Sequence, residues 1–129
     1  MTDTNRIDDL ALRYLQAIES GDLSKLLSLF ADDATATSPI SGMQPARDFY
    51  SNVMQITSNR STVHKNTFAD TAGAPQMAVH FDYTRTIRNG HPETIECVDL
   101  FELTDDHSSF KSVKIIYDTA PVLVDFGEA

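Results

Sequence analysis

The sequence predicts an α+β fold, with helices in the first part of the chain and an antiparallel sheet in the second. Apolar residues recur at three- and four-residue spacing up to about Ile56, as on one face of a helix. From about Ser61 onward the period becomes two, as in half-buried strands. The 129 residues suit one domain spanning 1–129, because 41% apolar and 22% charged residues are typical of globular proteins.

The first helix is predicted over 4–20. Its apolar side chains share one face, which we expect to be buried. The members of this stripe are Ile7, Leu10, Ala11, Tyr14, Leu15 and Ile18. Gly21 suits the end of the helix, because glycine adopts the left-handed cap conformation at little steric cost.

A second helix is predicted to begin after Asp22, whose side chain suits the N-cap. It should bury one apolar stripe and end at Ala31-Asp32-Asp33. The members of that stripe are Leu23, Leu26, Leu27 and Phe30. A short extended piece at 34–38 then leads to a turn at Pro39 to Gly42.

Pro45 suits the first turn of a third helix, and strands are predicted beyond that helix. The apolar stripe of the third helix is Phe49, Val53 and Ile56. The predicted strands lie near 61–68, 76–88, 93–104 and 110–118. Asn89-Gly90 supplies a hairpin turn between the second and third of these strands.

Charge and composition narrow the classes of partner. A formal net charge of −9 without a basic cluster disfavours nucleic acid and anionic membrane surfaces. A lone Cys97 excludes an internal disulfide framework, and the His and Cys spacings do not suit a metal site. There is no Gly-rich phosphate loop, so no cofactor is expected. Without a secretory leader or a membrane span, the expected location is cytoplasmic.

Several segments carry a resemblance to a known group of proteins. Arg13 to Thr37, RYLQAIESGDLSKLLSLFADDATAT, resembles the opening of the ketosteroid isomerases and of the SnoaL-like polyketide cyclases, in the nuclear-transport-factor-2-like superfamily. DFYSNV at 48–53, VHFDYT at 79–84, and IECVDLF at 95–101 with IIYD at 115–118 extend it over nearly the whole chain.

The resemblance implies a cone-shaped roll. In such a roll a curved, mostly antiparallel sheet wraps three helices around an apolar pocket that is open at one end. The resemblance also implies a homodimer formed through the outer face of the sheet. The expected ligand is a small apolar or carbonyl-bearing molecule.

The same resemblance implies an oxyanion hole. In ketosteroid isomerases a carboxylate moves a proton beside a ketone, while a Tyr and a protonated Asp hydrogen-bond the developing enolate oxygen. The matching positions here are Tyr14 and Asp99. Period-two alternation places Asp99 on one strand face with Ile95, Cys97 and Phe101, where burial favours its neutral form. Taken singly, the two residues would also suit a core tyrosine and an edge carboxylate.

The expected base is absent. Isomerases read LFADDATxxDP, with the base before proline, whereas this chain reads LFADDATATSP, with Ser38 there. A serine hydroxyl is not a useful base near neutral pH unless another base activates it. His64 is a candidate replacement, since imidazole moves protons near neutrality, although an exposed strand histidine is the alternative. Asp32-Asp33 suits a solvated helix end, and His80 and Asp82 suit the outer sheet face.

Two functions are carried forward from the sequence. The first is an isomerase or cyclase that acts by proton transfer beside a carbonyl, and the second is a non-catalytic binding module for a small apolar ligand. The predicted pocket lining is Phe49, Met77, Val79, Phe81, Phe101, Val113, Ile115 and Tyr117. An epoxide hydrolase of the limonene type would need an Asp-Arg-Asp set that the matching strands lack, and a pure assembly domain would leave Tyr14 and Asp99 unexplained.

Overall fold

A computed structural model describes residues 4–120. The elements in this range are α1 Thr4–Ser20, α2 Leu23–Leu27, β1 Phe30–Ser38, β2 Gly42–Pro45, α3 Ala46–Ile56, β3 Thr57–Ala69, β4 Gln76–Ile87, β5 Glu93–Leu103 and β6 Phe110–Ile116. The helices pack against one curved, unclosed sheet, so the α+β prediction is confirmed. None of the helices described is long and apolar enough to cross a bilayer.

The sheet has the strand order β2-β1-β6-β5-β4-β3. Neighbouring strands are antiparallel except for β1 and β6, which run parallel with Thr35 opposite Ser112 and Ala36 opposite Val113. The first long strand of the chain therefore lies beside the last strand described. α1 lies over the inner face of β4, β5 and β6, where the Tyr14 ring meets the rings of Phe81, Phe101 and Phe110.

The helix hairpin follows the sequence prediction at its turn but not at its end. Gly21 has a φ of +69°, and the Asp22 side chain accepts the backbone N–H of Lys25 at 3.0 Å, as an N-cap does. The second helix was predicted to run to Phe30, which is wrong. Phe30 begins β1 opposite Phe110, because pairing with β6 outweighs the local helical spacing. Asp32 and Asp33 accordingly lie in a strand and not at a helix end.

Two further boundaries differ by small amounts. Pro45 immediately precedes α3 as its N-cap residue, and β2 was too short to be predicted from a period. The hairpin turn predicted at Asn89-Gly90 is centred one residue earlier, since the Gly90 N–H donates to the Ile87 carbonyl at 2.9 Å. Arg88 takes the positive φ of 52° that this turn requires.

The core lies between α1 and the inner face of the sheet. Tyr14 occupies its centre, and its ring meets the rings of Phe81, Phe101 and Phe110 edge-on at centroid distances of 6.5, 5.0 and 6.0 Å. Aromatic pairs favour this edge-to-face arrangement, which fixes the direction of the ring as well as burying it. The Tyr14 hydroxyl is thereby held toward α3 and β5.

Candidate active site

Three polar side chains meet inside the core. The Tyr14 hydroxyl oxygen lies 2.8 Å from Oδ2 of Asp99 and 2.8 Å from the hydroxyl oxygen of Tyr50. Each of the three residues is no more than 2% exposed. Because Tyr14 donates its single proton to Asp99, the remaining contact is filled when Tyr50 donates to Tyr14. The result is a hydrogen-bonded chain that runs from α3 through α1 to β5.

The fold strongly alters the electrostatics of Asp99. Burial raises its pKa from 3.8 to about 7, while the hydrogen bond from Tyr14 works in the opposite direction. Its Oδ1 is buried and has no hydrogen-bond partner within residues 4–120. A carboxyl group with a pKa near neutrality carries a proton in a large share of molecules at pH 7. That proton, on Oδ1, is free to be donated to a ligand.

Tyr14 and Tyr50, the two tyrosines of this hydrogen-bonded chain, stay neutral. Burial raises the pKa of Tyr14 well above 10.0, and the nearby charge of Asp99 adds to the effect. The pKa of Tyr50 is raised for the same two reasons. Neither hydroxyl therefore competes with Asp99 as the group that ionises first, and both remain hydrogen-bond donors across the ordinary pH range.

A cavity of about 130 Å³ adjoins the chain of hydroxyls. Its walls are mostly apolar. Tyr14, Tyr50 and Asp99 lie on its surface, together with Ser38. Of the residues predicted to line a pocket, those that do so are Phe49, Phe81, Ile115 and Tyr117.

The other predicted lining residues are buried in the core instead. These residues are Met77, Val79, Phe101 and Val113. They do face inward, but they lie at the end of the sheet where Phe110 stacks on Phe101 at a centroid distance of 4.1 Å and fills the space. The cavity opens along the opposite half of the strands, from Asp99 toward the β4–β5 turn.

Ser38 lies on the cavity but has no base beside it. Its Oγ is 2.7 Å from Oγ of Ser41 and accepts the Ser41 backbone N–H at 3.1 Å. Gln44 in turn donates to the Ser41 hydroxyl at 3.1 Å. Each of these partners is a neutral hydrogen-bonding group, so this cluster gives the Ser38 hydroxyl a fixed direction without giving it basicity.

His64 is exposed and does not line the cavity. Its Nε2 lies 2.7 Å from the Thr67 hydroxyl on the same strand. The alternation in this segment could not be predicted because the register of β3 shifts between His64 and Asn66, and β3 is an edge strand. The proposed role of His64 as a replacement base at the Tyr14–Asp99 site is therefore wrong.

Tyr50 was missed by the sequence analysis. The stripe of the third helix was drawn through Phe49, Val53 and Ile56, whereas the buried residues of α3 are Ala46 and Tyr50. These two lie four positions apart on one helical face. A helical stripe that begins at Ala46, directly after Pro45, includes Tyr50.

Arg85 was also missed, although period two leads directly to it. The predicted lining residues of β4 end at Phe81, and the next residues of the same parity are Tyr83 and Arg85. Arg85 is 2% exposed and lies on the cavity surface. Period two alone does not indicate a buried arginine, since charged side chains are seldom fully buried.

Comparison with known proteins identifies the family to which this chain belongs. Residues 11–108 match the SnoaL-like domain family. The chain belongs to the SnoaL-like family. This membership confirms the resemblance to the nuclear-transport-factor-2-like superfamily, of which the SnoaL-like domain is a part.

Solved structures share the fold of this SnoaL-like chain at low sequence identity. PrhC from Penicillium brasilianum superposes with a TM-score of 0.80 at 17% identity, over 96% of this chain and 87% of that one. A candidate polyketide cyclase from Xanthomonas campestris pv. campestris gives 0.77 at 14%, over 94% and 96%. A hypothetical protein with a ketosteroid isomerase-like fold from Catenulispora acidiphila, in complex with trimethylamine, gives 0.76 at 15%, over 94% of each chain.

Proposed function

We propose that this SnoaL-like chain binds a small apolar carbonyl compound or phenol and stabilises negative charge on its oxygen with Asp99 and Tyr14. The observation that carries the proposal is Oδ1 of Asp99, which is buried at the surface of an apolar cavity without a partner in the described part of the chain. A buried polar atom of this kind is costly unless something bonds to it. A ligand oxygen in the cavity would supply that bond.

The chemistry follows from the order of the hydrogen bonds. A carboxyl group with a pKa of about 7 donates well to an enolate or phenolate oxygen, which holds more charge than a ketone oxygen. Tyr14 lies 2.8 Å from the same carboxyl group, and it becomes the second donor to that oxygen when its proton turns from Oδ2 of Asp99 to the ligand. Tyr50 donates to Tyr14 and strengthens it as a donor by polarising its hydroxyl.

The enzyme form of the proposal is an isomerase or cyclase acting beside a carbonyl. Its proton would be moved by water or by a group on the substrate, because Ser38 replaces the carboxylate expected from the ketosteroid isomerases. The solved candidate polyketide cyclase with the same fold supports the cyclase alternative. The replacement of the base supports the other candidate, a binding module that recognises the same ligand without turning it over. The cytoplasmic location and the homodimer remain predictions.

The test is an absorbance titration with a naphthol, whose spectrum reports ionisation and whose hydroxyl mimics the enolate oxygen. Tyr14→Phe and Asp99→Asn should each weaken binding by about 1–3 kcal/mol, the range for a buried hydrogen bond. Asp82→Asn is the matched control, because it makes the same change on the outer face of β4. It should bind naphthol as the parent does.

A second measurement separates the enzyme from the binding module. Ser38→Asp places a carboxylate where the isomerases carry their base, at the edge of the same cavity. If this variant isomerises an unsaturated ketone that the parent only binds, the remaining machinery is intact and the parent is a binding module for that ketone. Naphthol binding that is absent, or equal in the parent and both site variants, would refute the proposed oxyanion hole.

A further inference from the structure

Within the part of the chain that the structure describes, the cavity holds one cationic side chain, Arg85, and that cation is incompletely bonded. Its Nη1 donates to the backbone carbonyl of Glu93 at 3.1 Å, while Nη2 is buried with no hydrogen-bond partner in the described range. A guanidinium has five N–H donors and stays charged at all ordinary pH values. Such a group is expensive to bury unless an anion accompanies it.

No protein carboxylate supplies that anion within residues 4–120. The ion pairs found there join Arg13, Lys65 or His80 to acidic residues on the surface. The ring of Tyr83, whose centroid is 5.8 Å from the guanidinium carbon, gives only a weak cation–π contact. The positive charge of Arg85 is therefore left facing the cavity.

Asp99 is too distant along the sheet to be the missing partner. It lies opposite Val79 in the β4–β5 ladder, and Arg85 is six residues farther along β4, opposite Glu93. That offset corresponds to about 20 Å of extended strand. Asp99 and Arg85 consequently mark two polar ends of one cavity, with apolar wall residues such as Phe81, Ile95 and Ile115 between them.

We propose that the cavity binds an organic carboxylate, whose carboxylate group pairs with Arg85 and whose body extends toward Asp99. A planar guanidinium fork matches a carboxylate in geometry and charge. A single cation with one unused nitrogen suits a singly charged group better than a phosphate, which would need more donors. The inference rests on the proposed function only for the far end of the ligand, where a carbonyl or phenol oxygen meets Asp99.

The orientation of the ligand follows from the signs of the two ends. An ionised Asp99 repels a carboxylate, whereas a protonated one donates to a neutral or enolate oxygen. Arg85 attracts a carboxylate at any pH. A ligand that carries one carboxylate and one carbonyl oxygen would therefore bind in a single direction, which fixes the reacting carbon beside Asp99 and Tyr14.

The experiment compares two ligands that differ by one group. These are a naphthol and the hydroxynaphthoate that carries a carboxylate on the far ring, titrated under identical conditions. The parent should bind the hydroxynaphthoate about tenfold or more tightly, as expected for a charge-assisted hydrogen bond. In Arg85→Met this ratio should fall to about one. Arg13→Met is the matched control, because it removes an exposed arginine, and it should keep the ratio of the parent.

Thermal unfolding without ligand excludes a purely structural role for Arg85. Arg85→Met should unfold at a temperature no lower than the parent, because it removes a buried unpaired charge, and hydroxynaphthoate should raise that temperature no more than naphthol does. A large drop in the unfolding temperature, together with equal weakening of both ligands, would overturn the proposal. If Arg85→Met does not fold, Arg85→Lys serves instead: it keeps a point charge without the fork and should lower the ratio part-way.

The remaining outcomes separate this inference from the proposed function. Naphthol that binds through Asp99 with no preference for the carboxylate would overturn the anion site and leave the oxyanion hole standing. A naphthoate without a hydroxyl group tests the opposite case, in which the anion site exists and the oxyanion hole does not. Binding of that compound that depends on Arg85, when naphthol does not bind, would support the anion site and remove the oxyanion hole. A carboxylate preference that survives in Arg85→Met would contradict the assignment to Arg85.

Discussion

Charged side chains on the two faces of β4 and β5 differ in how they are paired. On the outer face, Lys65 reaches Asp82 at 3.1 Å and Glu96 at 3.3 Å, and the same Glu96 lies 2.6 Å from Nε2 of His80. Each of these groups has a hydrogen-bonding or oppositely charged partner, and each retains some contact with solvent. This outer cluster is an ordinary solvated arrangement of the kind that contributes little to stability.

The inner face carries Asp99 and Arg85, which lie on the same two strands but have no partner of opposite sign among the described residues. Each is 2% exposed, and each has a buried atom without a hydrogen bond inside the described structure. The two faces belong to the same strands, so the amino-acid composition of those strands does not explain why charge is paired on one face and unpaired on the other. The difference supports the proposal that the inner groups face a ligand, and three measurements test it.

The largest effect is expected for the dependence of stability on pH. Asp99 has a pKa of about 7 in the folded protein and about 3.9 in the unfolded chain, so between these values only the folded state keeps the proton. Stability that is fully present below about pH 4 should be lost as the pH rises through 7, by roughly 4 kcal/mol at most. Urea unfolding at several pH values should detect this loss in the parent.

Asp99→Asn should flatten that profile, because asparagine does not titrate. Asp82→Asn is again the control, and it should leave the slope of the parent in place. If the Asp82 variant flattens the profile as much as the Asp99 variant does, the inner carboxyl group is not the cause of the pH dependence.

A smaller effect is expected for Tyr50→Phe. The substitution deletes the hydroxyl that bonds to Tyr14 at 2.8 Å and should lower the free energy of unfolding by about 1 kcal/mol, as for a typical internal hydrogen bond. Tyr117→Phe is the matched control on the wall of the same cavity. Urea midpoints that shift equally in the two variants would show that the hydroxyl chain adds nothing specific.

The smallest effect is expected on the outer face. Glu96→Gln removes the charge that pairs with His80 and Lys65, but these groups are exposed and screened. The urea midpoint should move less than it does for Tyr50→Phe, and added salt should shrink the difference further. A shift larger than that of Tyr50→Phe would mean that the outer cluster is a structural element in its own right.

The sequence predicted the burial of Tyr14 and Asp99 because each lies in a long segment with one clear period, and the resemblance to the ketosteroid isomerases implied their shared role. Prediction failed where two periods compete or a segment is short. Phe30 fits the helical stripe of α2 but pairs in β1, and in α3 the stripe was placed one position from Tyr50. A period also gives the face of a residue and not its depth, so Val79 was assigned to the pocket although the core encloses it.

The parallel pairing of β1 with β6 bears on how the chain reaches its fold. The strand that begins at Phe30 pairs early with β2, but it gains its second neighbour, β6, only after residues 110–116 have been synthesised. Until then β1 and β5 are both open edges, which are templates for pairing with other chains. Contacts so distant along the chain also slow folding. We therefore expect a nascent chain to depend on chaperones until β6 emerges. The cavity between the helices and the sheet should form last.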